Sequence, residues 1–130
     1  MAYVALGKLE KASLLLEKAL QLNPRHNAFL RRYFIGMVHI FDGQPAKAVA
    51  VLKKGLAEFP THAGLNYSLV SALALSGRDA EANKALAAYN NMKSARNLNK
   101  IEQIRDRLAY LSPNIGKLAE GLRRAGMPEK

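Results

Sequence analysis

The chain has 130 residues, 49% of them hydrophobic, which suits one domain with a continuous core. It contains no cysteine, so disulfide staples and thiolate metal sites are excluded, and no window approaches the roughly 18 uninterrupted apolar residues of a membrane-spanning helix. The net charge is +10, with the charges interspersed rather than run together; this reads as a solvated surface that favours acidic partners.

In chain order, the first feature is an apolar stripe of Leu9, Ala12, Leu16, Ala19 and Leu20 at helical spacing, preceded by Gly7 and closed by Pro24. A helix is predicted over Asn27–Phe41, ended by Gly43, and another from Pro45 through Val49, Leu52 and Leu56 to Pro60. The next runs over Ala63–Leu75 and stops at Gly77. Asp79 then opens a helix that continues to about Arg96, because Ser94 stands where a proline would end it. Ile101, Ile104, Leu108 and Leu111 keep helical spacing, and Ser112-Pro113 starts a last short helix carrying Ile115, Leu118 and Leu122. Gly126-Met127-Pro128 has the form of a helix stop in which glycine turns left-handed and the next apolar residue folds back.

Laid against itself, the chain repeats. Gly7 with Ala12, Gly43 with Ala48 and Gly77 with Ala82 share one spacing; Ala19, Gly55 and Tyr89 follow seven residues later, and Pro24, Pro60 and Ser94 five after that. The glycine suits a tight turn between two helices, and small residues seven apart let a neighbouring helix approach. This skeleton resembles the tetratricopeptide-repeat family. The resemblance implies an all-α right-handed superhelix of antiparallel helical hairpins, with repeats over 1–26 (truncated), 27–62 and 63–96 and capping helices over 97–130. Tyr89 and Ser94 depart from the family pattern in the third copy. The first copy keeps only Met1–Leu6 of its first helix, which reads as the C-terminal part of a longer chain.

The closing run from Leu118 to Glu129 is similar to the tails of repeat arrays appended to bacterial nucleotide cyclases and winged-helix transcriptional regulators. That likeness implies a regulatory arm of a larger bacterial protein, and the absence of cysteine fits a reducing compartment such as the cytoplasm. The N-terminal residues are too soon interrupted by charge to form a signal peptide, which agrees with the cytoplasm.

No catalytic chemistry is readable. His26, His39 and His62 have no partner at metal-ligand spacing, the serines lack a glycine-flanked elbow, and Gly7-Lys8 and Gly116-Lys117 are lone dipeptides without a phosphate loop. No catalytic residue, metal or cofactor is expected. His26 and His62 read as loop residues that follow a proline, and His39 as a packed or capping side chain.

The function expected is protein binding. In the family the first helix of each hairpin lines a concave groove, which here assigns Tyr33, Met37, Ile40, Tyr67, Ser71 and Ala74 to a peptide or helix partner. The plainer alternative makes these side chains core. Arg31, Arg32 and Asn66 lie outside the groove phase, so a carboxylate clamp is not reproduced. Two other readings stand beside this one. The uncovered face of Leu9, Leu16 and Leu20 would pair two copies in a homodimer, and the basic residues Lys93, Arg96, Lys100, Arg105, Arg107, Lys117, Arg123 and Arg124 would attract nucleic acid or an anionic surface non-specifically.

Overall fold

The computed structural model describes residues 28–93, 98–108 and 115–130, with side chains from Arg31 onward. Six helices occupy them: α1 (Ala28–Phe41), α2 (Pro45–Glu58), α3 (Ala63–Leu75), α4 (Asp79–Asn90), α5 (Ile101–Arg107) and α6 (Ile115–Ala125). No strand occurs among the described residues, and none of their helices is long and apolar enough to cross a membrane. Gly7 and Pro24 lie outside them.

Two turn glycines make the hairpins. Gly43 has φ +73° and Gly77 has φ +80°, a left-handed conformation that costs a residue with a Cβ about 1 kcal/mol. Each closes the same pair of backbone bonds. Gly43 N–H reaches the carbonyl of Ile40 and Gln44 N–H that of His39; Gly77 and Arg78 likewise reach Ala74 and Leu73. Helices packed along their length across so short a link run antiparallel, α1 on α2 and α3 on α4.

The small residues sit where two helices press together. A Cβ on Gly36 of α1 would meet Leu52 of α2 at 2.5 Å, and one on Gly55 of α2 would meet Leu65 of α3 at 3.0 Å. Ala48 and Ala82, the alanines of the repeat, are fully buried. Pro45 takes the first turn of α2, where its missing N–H costs nothing, and α2 stops two residues before Pro60, with Phe59 turned out of the helical region.

α4 is shorter than the missing proline predicts. It ends at Asn90, and the backbone N–H groups of Asn91 and Met92 close its last turn on the carbonyls of Ala88 and Tyr89. Paired asparagines, poor helix formers, stop it where no proline is needed.

The C-terminal segment doubles back on itself. The carbonyls of Pro128 and Glu129 accept from the N–H groups of Ile101 and Glu102, each at 2.9 Å, so the chain end satisfies two orphan donors of α5. Gly126 (φ +107°) ends α6 by the same two-bond motif as the hairpin turns, with Met127 buried behind it as the sequence predicts. α6 packs chiefly against α3 and also touches α1, α4 and α5. Leu118 and Leu122 are fully buried in that contact and Ile115 nearly so; together they supply roughly 5–9 kcal/mol of hydrophobic stabilisation at about 1.5–3 kcal/mol each.

Candidate functional site

The six groove positions form two equivalent rows, with Tyr33, Met37 and Ile40 on α1 recurring 34 residues later as Tyr67, Ser71 and Ala74 on α3. Equivalent phase on equivalent helices puts both rows on one face of the hairpin stack. All six side chains are buried, the most exposed being Tyr33 at 6%.

Aromatic rings cover one end of this face. The hydroxyls of Tyr33 and Tyr67 hydrogen-bond to each other, and their rings meet edge to face with centroids 6.0 Å apart. Tyr67 meets Tyr89 in the same way at 6.4 Å. Tyr89, the bulky departure in the third copy, thus comes from α4 to the end of the row, and its hydroxyl donates to the carbonyl of Leu98 at 2.6 Å. Burial first and the neighbouring Tyr67 second hold that hydroxyl protonated far above the ordinary phenol range, against the pull of Arg107.

Helix α6 covers the other end. The Ser71 hydroxyl donates to the backbone carbonyl of Leu118 at 2.9 Å, and Gly121 lies so near Ser71 that a Cβ there would stand 2.5 Å from its carbonyl oxygen. Such an approach is open only to glycine on one helix and a small residue on the other. The covering of this face by α6 did not follow from the repeat. Two signals pointed toward it: the strong amphipathic pattern of Ile115, Leu118 and Leu122, and a glycine inside that helix.

His62 is more than a loop residue. Its Nδ1 accepts from the N–H of Leu65 at 3.1 Å, which makes it the N-cap of α3, a role usually filled by Ser, Thr, Asp or Asn. Burial, then the charge of Arg107, push its pKa below the ordinary histidine value. His39 is half-buried on α1 and shifted the same way, by burial and then Lys47, with Asp42 opposing. Among the described residues, no group of three His, Asp or Glu side chains is placed to hold a metal ion.

The basic C-terminal third is partly paired. Arg123 forms an ion pair with Glu129, and Arg124 with Glu120 one turn away at 3.1 Å; Lys93, Arg105 and Lys117 are exposed, and Arg96 lies outside the described residues. So do Leu9, Leu16 and Leu20, the proposed dimer face.

Models of the tetratricopeptide-repeat family match residues 42–96 and 1–26. No curated protein and no solved structure matches the chain.

Proposed function

We propose that this chain, which belongs to the tetratricopeptide-repeat family, is a protein-interaction scaffold that takes a helix of a partner protein on the face built by α1 and α3. The observation that supports this reading is that a helix already seats there. The contacts of α6 with Ser71, through the Leu118 carbonyl and the bare backbone of Gly121, are those an incoming helix would make. In this reading α6 is a resident ligand. A partner helix takes its place and must therefore match the burial of Ile115, Leu118 and Leu122, which sets a threshold against weakly apolar competitors. The chain itself performs no catalysis.

The likeness of residues 118–129 to the tails of regulator-linked repeat arrays supports a wider setting. The module is the regulatory arm of a larger bacterial protein in the cytoplasm, such as a nucleotide cyclase or a transcriptional regulator.

A peptide with the sequence of residues 113–128, carrying a fluorescent label because the chain has no tryptophan, tests the docking face. Leu118→Ala with Leu122→Ala in the full chain loosens α6, and the peptide is expected to bind this variant at least about tenfold more tightly than wild type, where α6 competes. Circular dichroism checks that the variant keeps its helices. Equal affinity for both proteins, or binding to neither, counts against the exchange.

A further inference from the structure

We propose that the cleft between α1, α3 and the end of α5 is a binding site for a carboxylate carried on an apolar body, with Arg107 as its counter-charge. The cleft is half-enclosed and has a volume of about 500 Å³. That is within the usual range for a small-molecule site, roughly 300–1,000 Å³. Its wall is mainly apolar: Phe34 of α1, Leu98 and Leu108 beside α5, and the rings of Tyr33 and Tyr67. Among the described residues, its one formal charge is the guanidinium of Arg107.

Three observations give the cleft its sign. Among the described residues no Asp or Glu lines it and Arg107 forms no ion pair, whereas Arg78, Arg123 and Arg124 each have one. Arg107 is exposed at the end of α5, yet it lines the same cleft as His62, whose pKa its charge helps to lower, so it presents its charge to the cleft wall as well as to solvent. His62 adds no second cation, because its Nδ1 is committed to the α3 cap; in the neutral ring the proton sits on Nε2. The N-terminus of α3 contributes further positive potential at the same place, through Ala63 and Gly64.

The balance of one cation against apolar walls selects the ligand. A carboxylate brings one negative charge and the planar geometry that a guanidinium grips with two parallel bonds. A phosphate brings nearly twice the charge and three acceptor oxygens, more than a single arginine satisfies. The apolar body follows from Phe34, Leu98 and Leu108, which offer a polar ion nothing. Both a free organic acid and the terminus of a peptide carry this chemistry. The site does not depend on α6 being displaced, since no α6 residue lines it.

Thermal stability of the full chain and NMR shifts of His62 and Leu98, read with four probes, test the site: 3-phenylpropionate, its amide, acetyl-glycyl-phenylalanine and inorganic phosphate, at matched ionic strength. At least one of the two acids is expected to raise the melting temperature and move both signals, and the tighter of them identifies the source. Arg107→Gln should weaken that acid by about tenfold or more, the loss expected for one charge-assisted contact. Thr61→Glu, an exposed substitution that places a carboxylate on the rim of the cleft, should weaken it as well. No response to either acid overturns the proposal; so does a response equalled by the amide or by phosphate, or one that persists in Arg107→Gln.

Discussion

The Ser71 hydroxyl donates to the Leu118 carbonyl at 2.9 Å, a bond between residues 47 apart in sequence that fastens the last helix across the last hairpin. Gly121, one turn along α6, makes that approach possible. A methyl group there would lie 2.5 Å from the Ser71 carbonyl oxygen and 2.8 Å from its Cα, both backbone atoms that cannot rotate aside. Gly121→Ala is therefore expected to destabilise the chain by about 1–3 kcal/mol through overpacking, despite the better helix propensity of alanine. Ser71→Ala removes only the hydrogen bond and should cost about 1 kcal/mol. Urea unfolding of both variants separates the two; a Gly121→Ala protein as stable as wild type would mean that α6 does not lie this close to α3.

Ser68 makes the opposite case. It faces the same interior from α3 and is fully buried, yet its Oγ has no hydrogen-bond partner among the described residues. An unsatisfied buried hydroxyl costs about 1–3 kcal/mol relative to one left in water. Ser68→Ala should be neutral or stabilising by up to about 1 kcal/mol, measured as a raised urea midpoint at unchanged slope. A loss of that size would show that the hydroxyl is in fact bonded.

Tyr89 carries a different kind of hydroxyl, one with an acceptor waiting. Tyr89→Phe keeps the ring that meets Tyr67 and removes only the donor to Leu98, so the expected cost is about 1 kcal/mol, with the carbonyl of Leu98 left short of a partner. Double-mutant analysis of Tyr89→Leu with Tyr67→Leu, which remove the two rings, should give a non-additive result, since those rings meet edge to face.

These three sites mark what sequence reasoning reaches and what it does not. Gly77 and Ala82 fix the hairpin turn and the close-packed stripe by local chemistry, and α3 spans Ala63–Leu75 as the spacing predicts. Gly43 and Pro45 do the same for the first hairpin. Periodicity assigns a face to each helix but does not say what lies on it. Tyr33 and Tyr67 share a phase that suits a groove, and the same phase suits burial once α6 and Tyr89 close over it. The cap at His62 was hidden for another reason: its imidazole accepts only in one protonation state, and nothing in the order of residues states which. Arg107 belongs to a basic region when read along the chain, and to a cleft only after α5 is placed beside α3.

That protonation state yields the last prediction. His62 caps α3 through an unprotonated Nδ1, and burial followed by Arg107 lowers its pKa in the folded chain below its ordinary value of 6.5. At a pH between the two values the unfolded chain binds the extra proton and the folded chain does not, so stability rises with pH across that window. The stabilisation is fully present above about pH 6.5, the unfolded value, and is lost as pH falls through the folded value. His39 is shifted in the same direction and adds to the trend. Replacing His62 with Asn keeps a cap that does not titrate in this range, so His62→Asn should match wild type within about 1 kcal/mol at pH 7.5 and lose less stability between pH 7 and pH 5. Urea midpoints of both proteins across that interval measure the difference. Parallel curves would show that the imidazole does not hold the start of α3 in its neutral form.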